Sequence, residues 1–170
     1  MNEPLRTGFS HDHSFNAEGG DSAFRYGLTF RYRDNAGVMK HSDRQNIDGS
    51  VDLSYRIDKF NFSNQTNVYY TKIDNNVVPF SEFSQANPYY AKRDADGEVY
   101  RVLESYETIN GTQYVYNPLW NYQQKSFNRG DEIQFNNNFN IEYRPIPALR
   151  LTGRFGFTTS RGKSEVFRSP

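Results

Sequence analysis

Between Phe24 and Tyr32 apolar and polar side chains alternate. Phe24, Tyr26, Leu28, Phe30 and Tyr32 fall on one side of an extended chain, and Arg25, Thr29 and Arg31 on the other. Successive side chains of a strand point to opposite faces, so a period of two over this length demands a β-strand that is greasy on one side and wet on the other. The pattern recurs at 47–57, where Ile47, Val51, Leu53, Tyr55 and Ile57 alternate with Asp48, Ser50, Asp52, Ser54 and Arg56. It recurs again at 133–143, where Ile133, Phe135, Phe139, Ile141 and Tyr143 alternate with polar residues and only Asn137 breaks the apolar side. Long strands with one aromatic face and one charged or amide face are what a transmembrane β-barrel requires, with lipid outside and water or a plug inside.

The source of the apolar surface supports that class. Phe and Tyr contribute 14 and 13 residues to a chain whose mean hydropathy is −0.90. A water-soluble core draws mainly on Leu, Ile, Val and Ala. Acidic and basic residues balance at 20 each, which leaves no bulk positive charge for a nucleic acid. No stretch approaches the ~20 consecutive apolar residues of a membrane helix, a test to which alternating strands are blind. Cysteine is absent, and with it disulfides, thiolate metal sites and thiol nucleophiles. The first six residues, Met1 to Arg6, have no apolar signal region, so under the barrel reading the chain is expected to be an internal piece of something longer.

Turn chemistry divides the sequence into six expected strands, at 8–18, 23–33, 45–57, 60–72, 132–143 and 149–160. The fourth has a middle that is polar on both sides. Gly19-Gly20-Asp21-Ser22 and Asp58-Lys59 read as tight turns, and Pro145 and Pro147 are expected to end a ladder by removing donors. Residues 73–131, containing Pro79, Pro88 and Pro118 and no sustained period, read as one long loop. Connections thus alternate between short and long, the rhythm of an outer-membrane barrel with short periplasmic turns and long extracellular loops. The expected fold is all-β: an antiparallel meander of about six long strands, part of a transmembrane β-barrel, with one long extracellular loop and no plug domain within residues 1–170.

Specific residues in this order resemble the SusC/RagA-type TonB-dependent outer-membrane receptors. They are Gly19-Gly20-Asp21; Gly37-Val38-Met39-Lys40 with Ser42-Asp43-Arg44; Asn87-Pro88-Tyr89-Tyr90; Asp94-Ala95-Asp96-Gly97; Asn117-Pro118-Leu119-Trp120-Asn121; and Asn137-Asn138-Phe139 leading to 149–156. The resemblance runs from about residue 10 to 160. It implies residence in the cell outer membrane and energy-coupled import of a glycan, peptide or similar oligomer. It also implies a SusD-like surface lipoprotein over the extracellular loops and coupling to TonB through an N-terminal region that has no counterpart here, as the plug has none. Lipid is the implied partner of the barrel wall, and no cofactor is implied.

Candidate chemistry elsewhere is thin. His11 and His13 share a strand face, but His41 is the only other histidine, so a solvated strand end is the better reading than a metal site. Asp48 and Asp52 lie on a wet face near Arg25, Arg31, Arg33 and Arg56, where charge pairing explains them more simply than acid–base catalysis; the chain is not expected to be an enzyme. The long loop is rich in aromatics among Asn, Asp, Arg and Gln, which suits sugar rings with their apolar faces and polar rims. A loop of this length must also bury aromatics in a miniature core of its own to stay ordered. Tyr89, Tyr90 and Trp120 are the residues expected to touch ligand or lid protein. The competing reading is a soluble β-sandwich that binds carbohydrate, in which a second sheet of the same chain would cover the aromatic faces.

Overall fold

A computed structural model of the chain describes residues 4–76, 78–85, 87 and 89–168, so Pro88 of the Asn87-to-Tyr90 stretch and the first three residues lie outside the described part. Six long strands form one antiparallel sheet: β1 (Phe9–Gly20), β2 (Phe24–Ala36), β3 (Ser42–Ile57), β4 (Phe60–Asn75), β7 (Phe127–Ile146) and β8 (Leu149–Phe167). Each pairs with the next long strand in sequence, the meander expected from the alternation. The sheet is open: β1 and β8 are edges, and the six strands do not close on themselves. No second sheet of comparable size faces it among the described residues.

The turns follow from local chemistry. Gly20 has φ +123, and a Cβ there would sit 2.1 Å from the Phe24 carbonyl oxygen, so the β1–β2 reversal requires glycine. Asp21 closes the same turn by accepting from the backbone N–H groups of Ala23 and Phe24 at 2.7 and 2.8 Å. At the two-residue β3–β4 connection Asp58 adopts φ 49, a conformation Asp tolerates better than most residues.

Two expectations are corrected. Pro145 does not end the ladder: β7 continues to Ile146, and the register slips between Tyr143 and Ile146, a bulge that absorbs the missing donor. Residues 73–131 are not one structureless loop. β4 extends to Asn75 and β7 begins at Phe127, and the segment between them holds α1 (Phe80–Gln85), the hairpin β5 (Val102–Thr108) and β6 (Gly111–Tyr116), and α2 (Pro118–Gln123). Asn117 caps α2 and Pro118 occupies its first turn, where a missing N–H costs nothing. The elements are too short for a periodic signal to stand out from the polar residues around them.

This segment folds into a cap at the long-connection end of the sheet. Phe83, Val99 and Leu119 are its buried apolar residues, with Met39, Val78, Trp120 and Tyr122 packed against them. Met39 comes from the β2–β3 loop, and the N-terminal segment joins through a Leu5–Met39 bridge and a bond from Lys40 N–H to the Pro4 carbonyl.

Candidate functional site

Cross-strand partners in an antiparallel pair share a face, so the register assigns every strand residue to one side of the sheet. One face carries, rung by rung, Phe24–Tyr55–Phe62–Ile141, then Leu28–Val51–Thr66–Asn137–Phe157, then Tyr32–Ile47–Tyr70–Ile133. Two residues further along each strand, still on this face, the rung reads Asp34–Gln45–Lys72–Asp131–Lys163, and the next contains Asp43, Asp74, Arg129 and Glu165. The apolar surface therefore stops at one height on β2, β3, β4 and β7, while on β8 Arg161 stands opposite Ile133 and charge begins one rung earlier. From Ile47 to Ile57 it spans roughly 33 Å along the strand, or about 25 Å in height at a tilt near 40°.

Aromatic rings gather at the short-turn end of this band. Phe60 stacks on Tyr143 at 4.4 Å between centroids and on Phe62 at 5.9 Å, and Phe62 meets Phe139 at 6.4 Å. At the other end Tyr32 and Tyr70 stand on the last apolar rung, with His13 opposite Tyr32. The rings of His11 and His13 lie 5.3 Å apart, and among the described residues no group of three or more potential metal ligands gathers there or elsewhere.

Within the band, β4 and β7 share a polar network that is closed on itself. Asn64 and Thr66 on β4 and Asn137 on β7 bond only across this pair of strands. Asn137 Nδ2 donates to Thr66 Oγ1 at 2.8 Å and to Asn64 Oδ1 at 3.1 Å, Thr66 Oγ1 donates to Asn64 Oδ1 at 2.9 Å, and Asn64 Nδ2 donates to Asn137 Oδ1 at 3.3 Å. The polar middle of the fourth strand and the break at Asn137 are thus two halves of one network. β4 and β7 are also the only adjacent strands of the sheet joined by a long excursion rather than a hairpin. A specific cross-strand network supplies here the register that tight turns supply elsewhere.

The opposite face is largely polar. Arg31 forks onto the Asp12 carboxylate, Arg33 reaches the same group at 3.2 Å, Asp48 is the register partner of Arg31, and Glu142 pairs with Arg144 at 2.7 Å. Tyr69, Ile73 and Val166 lie on this face towards the cap. Beside them runs a trough of about 410 Å³ walled by small residues, including Thr71, Gly130, Gly162 and Ser164, and by Glu132.

No protein-family model matches the chain, and no curated protein matches it.

In the cap the three residues singled out by sequence are used differently. Tyr89 is 93% exposed. Tyr90 donates its hydroxyl to the Glu104 carboxylate on β5, and Trp120 packs against the cap core. The miniature core expected for a long loop is present. Its organising residue, Asn117, is 1% exposed and was not a sequence candidate. Asn117 Oδ1 accepts from Leu119 N–H at 3.1 Å, its Nδ2 donates to the Lys92 carbonyl at 3.0 Å, and its N–H donates to the Arg101 carbonyl at 3.0 Å. An Asn-Pro pair before an apolar residue is a helix-start signal that, given more weight, would have found it.

Proposed function

We propose that the chain forms part of the wall of an outer-membrane β-barrel of the SusC/RagA-type TonB-dependent kind. The apolar face meets lipid, the polar face meets the lumen, and the cap stands on the extracellular side. One observation carries this reading: the change from apolar to charged residues occurs at the same height on β2, β3, β4 and β7, on a face that no other part of the described chain covers. A protein layer laid over the sheet would follow the outline of its own elements, whereas a lipid slab of about 25 Å ends at a level. The length of β7 and β8, 20 and 19 residues, supports it further, since about ten residues cross a membrane and the remainder raises the cap clear of the headgroups. Unpaired edges on β1 and β8 are completed by further barrel strands.

In this role the wall is passive. Its partners are outer-membrane lipids and, over the cap, a SusD-like surface lipoprotein, with TonB engaged by another part of the receptor. Oligosaccharides or peptides are the imported class. The test is partition: the chain is expected to acquire β-structure in detergent or bilayers and to aggregate in water. A monodisperse monomer in water with cooperative unfolding overturns the proposal. A photo-crosslinker at the exposed Tyr89 is expected to trap the lipoprotein partner in intact cells.

A further inference from the structure

On β8 the apolar face gives way to polar residues sooner than on its neighbour. Phe155 and Phe157 stand opposite Phe139 and Asn137, and from there towards the cap β8 presents Thr159, Arg161, Lys163 and Glu165 to the same face, while β7 still presents Phe135 and Ile133. Arg161 is therefore a cation level with Ile133, one rung inside the charged rungs of the other strands. On this part of the face β7 and β8 carry three cations, Arg129, Arg161 and Lys163, against two carboxylates, Asp131 and Glu165. Glu165 accepts from Arg129 at 2.8 Å and from Lys163 at 2.5 Å, and Asp131 stands between its register partners Lys72 and Lys163. Arg161 makes no side-chain hydrogen bond or ion pair among the described residues, and it is exposed.

We propose that Arg161 binds the phosphate of a membrane lipid whose acyl chains lie along Phe155 and Phe157. A guanidinium at the edge of hydrocarbon is costly unless its stem runs along apolar surface and its donors find an anion. Its fork of N–H donors matches the oxygens of a phosphate. Phe157 and Phe155, 50% and 65% exposed, are on the same face of the strand, Phe157 about 13 Å from Arg161 along it. A molecule with both acyl chains and a phosphate satisfies rings and guanidinium together, whereas a free anion satisfies the guanidinium alone. Arg129 and Lys163 already share Glu165, so the proposal stands on Arg161 and does not need them. It rests on the lipid-facing reading of this side of the sheet, to which it adds a headgroup and a place.

The full chain is reconstituted in phosphatidylcholine vesicles, and spin-labelled phosphatidic acid, phosphatidylcholine and stearate report by their motional restriction how strongly each associates with it. Phosphatidic acid is expected to associate about three- to fivefold more strongly than phosphatidylcholine, with the excess reduced by salt. Stearate, an anion without phosphate, is expected to show less than half of that preference. Arg161→Gln is expected to remove most of the preference and Arg161→Lys to keep about half of it. Arg154→Gln, the same change on the same strand but on its opposite face, is expected to leave it intact. A β-sheet circular dichroism signal matching that of the native chain shows that a variant has folded; if the Gln variant at Arg161 fails this check, Arg161→Lys and the salt dependence decide. Equal association of phosphatidic acid and phosphatidylcholine, or a preference that survives Arg161→Gln in a folded chain, overturns the proposal. An equal loss in Arg154→Gln overturns it too, by assigning the effect to net charge. Stearate bound as strongly as phosphatidic acid overturns the phosphate assignment. The two readings fail separately: restricted lipid without a headgroup preference removes this inference and leaves the lipid-facing sheet, while no restricted lipid of any kind removes both.

Discussion

The six-stranded sheet, whose strands run from 12 to 20 residues, contains no buried residue, whereas the cap and the segments against it hold every buried residue described: Pro4, Phe83, Val99, Asn117, Pro118 and Leu119. The cap is stabilised as a small water-soluble domain is, by apolar side chains removed from solvent at roughly 2 kcal/mol apiece and by a polar knot at Asn117. The sheet has backbone ladders, cross-strand rings and salt bridges, but both of its faces stand open. The two faces differ in chemistry, one with an apolar and aromatic band and the other largely polar.

The largest effect should come from testing that difference directly. Val51→Arg puts a cation in the middle of the apolar band and is expected to cost about 2–4 kcal/mol in lipid-embedded unfolding titrations, as at a bilayer midplane. Ser50→Arg, one residue away on the polar face, is expected to stay within about 0.5 kcal/mol. Equal costs would erase the contrast between the faces.

Next comes the cap. Asn117→Ala removes the cap of α2 and one of the two hydrogen bonds to the Lys92 carbonyl, at an expected cost of about 1–2 kcal/mol. Faster proteolysis within 76–126 and a shift in Trp120 emission should accompany it while the far-ultraviolet signal of the sheet holds. Loss of the sheet as well would mean that cap and sheet unfold as one unit.

A smaller effect sharpens the account of β4 and β7. Asn137→Ala leaves Asn64 and Thr66 partly unsatisfied on an apolar face and is expected to cost about 1–2 kcal/mol. Replacing all three with apolar residues of similar size should recover that stability but loosen the register, detectable as mixed disulfide pairing between cysteines introduced at Ser63 and Asn140 and at neighbouring positions.

The smallest effect lies at the β1–β2 turn. The N–H groups of Phe24 and Ala23 hold the Asp21 carboxyl below its usual range. A carboxyl depressed in the folded state contributes stability that is complete above its unfolded pKa and is lost as the pH falls through the lower, folded value. The turn amide of Phe24 should therefore titrate in acid, below the ordinary carboxylate range, and Asp21→Asn should flatten that titration.

Most of the sheet was legible because alternation is a signal carried by every second residue over ten or more positions. The strands at 23–33, 45–57 and 132–143 needed only to be lengthened. What sequence missed lies where the signal is short or shared between distant positions. β5, β6, α1 and α2 are six or seven residues each, too few for a period to emerge. The polar network was visible only as separate anomalies at Asn137 and in the fourth strand, because its partners lie more than seventy positions apart in sequence. Trp120, expected from the sequence to touch ligand or lid protein, is half-buried and packs against the cap core.

Because the chain has no cysteine, a single spin label can be attached at each position from Phe24 to Tyr32 and from Ile47 to Ile57 in turn, with the protein in a bilayer. Collision with oxygen, which concentrates in hydrocarbon, should peak at Leu28, Phe30, Val51 and Leu53. Collision with a water-soluble nickel chelate should peak at the residues between them, and the two profiles should alternate with a period of two. Profiles without that alternation, or oxygen accessibility equally low on both faces, would contradict a lipid-facing sheet.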